Sequence, residues 1–168
     1  MCAPIVETPR LRLRQLTVDD AGFVFRLIND PAFLANIGSK GVRSLEDARR
    51  FIVDGPWTNQ RKPGHGQFVI ELKDGGEPVG VCGLLYRDTL DVTDIGFAVL
   101  ANYRRRGLAW EAADAVLKYG RSTLGIASIV ALTSEGNLPS IGVLEKLGMK
   151  FERMVKMSDN DPGTALYA

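Results

Sequence analysis

The residues with the clearest chemical meaning are Asn102-Tyr103-Arg104-Arg105-Arg106-Gly107-Leu108-Ala109, where a strand-like run gives way to a helical one. A helix N-terminus offers backbone N–H groups without partners and the positive end of the helix dipole. The small residues Gly107 and Ala109 let an anion approach that backbone closely. The segment reads as a phosphate cradle. It also reads as an ordinary strand-to-helix loop with a solvated arginine triplet. Neither a Walker loop nor the three-glycine dinucleotide fingerprint occurs in the chain.

Alternation along the strand-like run 92–100 puts Asp94, Gly96 and Ala98 on one face and Ile95, Phe97 and Val99 on the other. An acid among small residues suggests an open cleft, with the carboxylate serving as a general base, orienting a loop or pairing with an arginine. Farther along, Ser140 shares a helical face with Leu144 and Leu147, so its hydroxyl points along an apolar stripe toward the sheet. That hydroxyl can donate a proton or cap the local backbone.

Other reactive types fit simpler readings. His65 is the one histidine, in a Gly/Pro-rich loop expected to be flexible, with no second His or Cys at zinc-ligand spacing. Asp159-Asn160-Asp161 reads as a turn, since no closing Glu follows at calcium-loop spacing. No bound metal is expected. Cys82 sits in a strand pattern and is assigned to the core, while Trp57 either lines a cleft or anchors its loop. Without a Gly-x-Ser-x-Gly elbow or a second histidine, covalent catalysis is disfavoured.

The 168 residues, 45% hydrophobic and 24% charged, fit one domain over 1–168 with a core that needs no bridge between Cys2 and Cys82. The longest apolar stretch, 95–101, is far shorter than the roughly 20 residues of a membrane span. The N-terminus lacks a signal peptide's basic leader and apolar core, so a cytoplasmic address is expected. A net charge of +1 creates no global field for nucleic acid or an anionic membrane, so neither is expected as a partner.

The elements that must position these residues read in order as follows. A strand over 11–14 leads to a helix that opens at a Thr17/Asp20 capping box, carries Val24, Phe25, Leu27 and Ile28, and stops at Asn29-Asp30-Pro31. A second helix opens at Ser44 and Asp47 and ends at Asp54-Gly55-Pro56. Strands over 67–72, 79–86 and 92–100 form an antiparallel series. A helix follows with Leu108, Ala112, Ala115, Val116 and Tyr119 inward and Glu111, Asp114 and Lys118 outward. A strand over 128–133 then lies parallel to its partner. A helix over 138–147, opened by Asn137, and strands over 149–156 and 164–167 complete an α/β domain with a mixed sheet.

Arg104, Gly107 and Ala109 occupy the fixed positions of an Arg/Gln-x-x-Gly-x-Gly/Ala loop, and the segment resembles the acetyl-coenzyme A loop of the GNAT superfamily of N-acetyltransferases. Asp94-Ile95-Gly96-Phe97-Ala98-Val99 looks like the strand that precedes it. The segment from Asn137 through Ser140, Val143-Leu144-Glu145-Lys146-Leu147-Gly148-Met149, is similar to the ribosomal-protein N-terminal (RimJ/RimL-like) acetyltransferase branch. Thr8-Pro9-Arg10-Leu11-Arg12-Leu13-Arg14 and Asn29-Asp30-Pro31 also look like that branch.

The resemblance implies a mostly antiparallel mixed sheet flanked by helices, with two splayed central parallel strands, 92–100 and 128–133. It implies pyrophosphate on the backbone of 104–109, pantetheine along Ala98 and Val99, and Asn137 farther along the cofactor. It implies acetyl transfer to a primary amine, first a protein or peptide N-terminal α-amine. Asp94 stands where relatives carry a water-linked Glu base, and Ser140 where the branch places a serine near the coenzyme sulfur. Leu144 replaces the Tyr acid of many members. A small-molecule amine acceptor, a non-catalytic acyl-coenzyme A sensor and a homodimer also fit the pattern.

Overall fold

A computed structural model describes residues 3–168; Cys2 lies outside the described residues. Eight strands form one sheet: β1 (Val6–Glu7), β2 (Leu11–Gln15), β3 (Gly66–Leu72), β4 (Pro78–Arg87), β5 (Val92–Val99), β6 (Ile129–Thr133), β7 (Phe151–Val155) and β8 (Thr164–Tyr167). Their order is β1-β2-β3-β4-β5-β6-β8-β7, with every pair antiparallel except β5–β6. The α-helices are α1 (Ala21–Ile28), α2 (Pro31–Asn36), α3 (Leu45–Asp54), α4 (Leu108–Ser122) and α5 (Leu138–Lys146). None is long and apolar enough to cross a membrane among the described residues.

Each face of the sheet buries its own apolar cluster. Against one face, α4 and α5 pack Leu108, Ala112, Val116 and Leu144 over Leu84, Ile95 and Ile129. Against the other, α1, α2 and α3 pack Val24, Ile28, Phe33 and Ile52 over Val69 and Val81. β4, buried from Val79 to Leu85, serves both clusters. Gly120 lets α4 approach closely, since a Cβ there would stand 2.7 Å from Ile129 Cδ1 and 2.9 Å from Leu84 Cδ1.

Three local readings need correction. Asp30-Pro31 does end α1 but also opens α2: the Asp30 carboxylate caps Ala32 N–H and Phe33 N–H, with Pro31 in the first helical turn, where its missing N–H costs nothing. The buried stripe of α4 is rotated from the expected one, taking in Ala113, Leu117 and Gly120. Glu111, expected in solvent, is turned onto the N-terminal segment.

Asp20 closes the Thr17 capping box and pairs with Arg14, whose guanidinium also meets Glu71. Burial alone would raise the Asp20 carboxyl, but Arg14 and Thr17 hold it below the usual carboxylate range. Replacing Asp20 by Ala leaves Arg14 half-paired and Thr17 N–H uncapped, so Asp20→Ala is expected to cost about 2–3 kcal/mol, a Tm drop of roughly 4–12 °C. Because the folded-state pKa is lowered, this contribution is complete at neutral pH and is lost as pH falls through the carboxylate range. Thermal melts of the two proteins should therefore converge in acid.

Candidate active site

The parallel ladder between β5 and β6 pairs Thr93 with Ile129, Asp94 with Val130 and Ile95 with Ala131, and then stops. β4 follows β5 through Val99, whereas β6 turns its remaining residues to β8. Leu100 N–H donates to Val79 O at 2.9 Å, so strand parity points the backbone groups of Phe97 and Val99 away from β4, past the last ladder pair. A peptide-like chain entering the gap meets an open strand edge at Phe97 and Val99. Ala98, expected alongside Val99, presents its side chain to the cavity instead.

At the end of β5 the chain passes a single turn (Ala101–Tyr103) and enters the cradle. Arg105 and Gly107 both adopt left-handed backbone, at φ 63° and 74°. Among the described residues, the N–H groups of Arg105, Arg106, Gly107, Leu108, Ala109 and Trp110 have no acceptor. Arg104 differs from that set. Its N–H is used by Ala101 O, and its guanidinium turns inward to Val99 O at 3.0 Å and to Asp30. The arginine thus braces the loop against the cap of α2.

A second brace comes from the N-terminal segment. Arg10 donates from Nη1 to Arg106 O at 2.9 Å and from Nε to Glu111 Oε2 at 2.6 Å; Thr8 Oγ1 donates to Glu111 Oε1 at 2.6 Å. Burial would raise the Glu111 carboxyl, but Thr8 and Arg10 hold it below its ordinary value. The ionised acid is therefore charge-paired with Arg10 beside a site suited to an anion.

Between the splayed strands lies a cavity of about 170 Å³ whose lining includes Gln67, Arg87, Asp94, Gly96, Asn137 and Ser140. Asp94 is 2% exposed and receives Arg87 Nε at 3.1 Å and Nη2 at 3.3 Å. Burial pushes its carboxyl above the ordinary range, against the opposing charge and hydrogen bonds of Arg87. Asn137 Oδ1 accepts Ser140 N–H at 3.4 Å, so Asn137, not the Ser140 hydroxyl, caps α5. Among the described residues the Ser140 hydroxyl has no partner and is left to face the cavity.

The remaining candidates separate clearly. Trp57 both anchors and lines: it packs edge-on against Phe51 at 5.1 Å and Phe33 at 6.3 Å while bordering the cavity. His65 stands in the loop before β3, its Nε2 2.9 Å from Thr93 Oγ1. Cys82 is a free, fully buried thiol whose pKa burial pushes up. Gln67 and Arg87 were missed. Their signal was slight: one polar residue opening an apolar strand, one arginine closing another.

The parted parallel strands and the helices on both faces place the chain among acetyl-coenzyme A-dependent acetyltransferases, a class that its relatives bear out. The chain belongs to the GNAT family, the model described as "Acetyltransferase (GNAT) domain" matching residues 10–150. It is 30% identical over 162 residues to the uncharacterized N-acetyltransferase YoaA of Bacillus subtilis (strain 168), covering 96% of this chain and 91% of that protein. The crystal structure of a GNAT-family acetyltransferase from Bacillus anthracis superposes with a TM-score of 0.79 at 26% identity, over 96% of this chain and 95% of that one. RimL, a ribosomal-protein α-N-acetyltransferase, shares the fold with a TM-score of 0.80 at 16% identity, over 99% and 93% of the two chains.

The cradle yields a direct test. A Cβ on Gly107 would find room, its nearest neighbour Arg10 Nη2 at 3.5 Å; the obstacle is the left-handed backbone, which a β-branched residue resists. Gly107→Val is expected to collapse the cradle and abolish acetyl-coenzyme A binding in titration calorimetry, with the fold retained by circular dichroism. Unchanged affinity would remove the cradle from the site.

Proposed function

We propose that this acetyltransferase acts on a protein or peptide N-terminal α-amine, by direct attack of the neutral amine on the thioester. The observation that carries the reading is that one cavity, opened by the parting of β5 and β6, holds a buried carboxylate with a raised pKa and an uncommitted hydroxyl. The cradle at 105–110 would hold the pyrophosphate, with Arg104, Arg10 and Glu111 fixing its shape. The open edge at Phe97 and Val99 would align the pantetheine amides. Bound acetyl-coenzyme A supplies an activated acetyl group on a thiol leaving group.

Asp94 takes the proton that the amine must lose. A carboxyl lifted above its ordinary range is a stronger base, and Arg87 fixes its orientation without occupying every lone pair. Ser140 donates toward the departing sulfur, a role consistent with a hydroxyl released from capping. The acceptor class follows from proton availability. An α-amine has a pKa of about 7.7–8.0, against about 10.4 for lysine, so at neutral pH a far larger fraction is ready to attack. A single carboxylate base suits that easier task.

Asp94→Asn is expected to lower turnover while leaving acetyl-coenzyme A affinity near wild type, and to regain rate at high pH, where the amine is already neutral. Wild-type rates at every pH would assign Asp94 to structure. Ser140→Ala is expected to slow single turnover by roughly ten- to a hundredfold with an unchanged Tm, because the cap belongs to Asn137. A lowered Tm with unchanged chemistry would reject the serine as a proton donor.

A further inference from the structure

Gln67 is a polar residue of the cavity that the reaction above leaves unused. It is 6% exposed, and its Oε1 is fully enclosed without a hydrogen-bond partner, the one such side-chain atom among the described residues. No hydrogen bond ties Nε2 to another described residue. An unsatisfied carboxamide in an interior costs stability, so its retention points to a ligand that completes it. Where it lies narrows that ligand. Gln67 pairs with Gly83 on β4, and Gly83 pairs with Gly96 on β5. The side chain crosses toward β5 over this row of glycines, and a Cβ on Gly96 would stand only 2.8 Å from Nε2. The carboxamide therefore reaches the floor of the cavity at the stretch of β5 where the parallel ladder has ended, on the face that carries Asp94.

A primary carboxamide offers an acceptor and a donor side by side. The amino end of a peptide offers the complement: N–H groups on the α-nitrogen and, three bonds away, the carbonyl oxygen of the same residue. A lysine side chain or an alkylamine offers the nitrogen alone. We propose that Gln67 is the specificity-determining residue of the acceptor site: a turn of its carboxamide brings the enclosed Oε1 to the cavity to accept from the α-amine, while Nε2 donates to the first carbonyl of a peptide N-terminus. The assignment rests on the α-amine reading of the proposed function. It adds to that reading a source of selectivity, since an ε-amine would satisfy only half of the buried carboxamide and leave the other half unpaired.

The test compares the full chain with Gln67→Met, close in volume and without hydrogen-bonding capacity. Both are assayed with acetyl-coenzyme A and two acceptors: a tripeptide with a free α-amine, and an Nα-acetylated lysine amide that offers only its ε-amine. The wild type should prefer the tripeptide. In Gln67→Met the ratio of the two kcat/KM values should fall by about tenfold, chiefly through the tripeptide KM. Acetyl-coenzyme A affinity should persist, and the apo Tm should equal or exceed that of the wild type, because the unsatisfied group is gone. A variant that keeps the wild-type preference overturns the role of Gln67 and leaves the α-amine reading standing. A variant with lowered Tm and lost acetyl-coenzyme A affinity makes the residue structural and likewise overturns it. A wild type that favours the lysine amide, or acetylates neither probe, overturns the α-amine reading and this assignment with it.

Discussion

The site depends on the refusal of two neighbouring strands to stay paired. Backbone N–H and C=O groups inside a protein must find partners, and a sheet normally supplies them along its whole length. β5 and β6 break that rule after Ile95 and Ala131. The break is supported from outside, by β4 holding β5 to its end and by β8 drawing β6 away. An interior strand edge at Phe97 and Val99 is thereby kept open in the middle of the fold, where an extended amide-bearing ligand can complete it.

Most of what surrounds that opening was legible in the sequence. Strand and helix types, the antiparallel series β3–β4–β5, the parallel return of β6 and the caps at Thr17, Ser44 and Asn137 rest on local periodicity and local side-chain chemistry, and all of them are found. The two-residue strand β1 carried no period to detect. α2 was hidden because one dipeptide, Asp30-Pro31, punctuates in both directions.

The site was legible in position more than in contact. Periodicity put Asp94 on the cleft face and Ser140 on an apolar stripe. It could not give Asp94 its arginine, because Arg87 reaches it across a strand pair, nor relieve Ser140 of capping, which depends on where the Asn137 side chain turns. Partner choices of this kind depend on where side chains turn in the folded chain, and spacing alone does not decide them. Glu111 is the clearest case: its helical phase faces solvent, and only the N-terminal segment, about a hundred residues earlier in the chain, turns it into an anchor.

That anchor couples two places that would otherwise be independent. Residues 8–10 link the outermost strands, β1 and β2, to the first turn of α4, so fraying of that sheet edge releases Arg106 O and Glu111 together. Edge strands open more readily than central ones, and an opening that loosens a binding loop lowers the fraction of molecules competent to bind. Thermodynamic reciprocity then runs the other way as well. On the proposed placement of the pyrophosphate, filling the cradle would hold down the margin of the sheet, and hydrogen exchange at the N-terminal strands would become a remote gauge of cofactor occupancy.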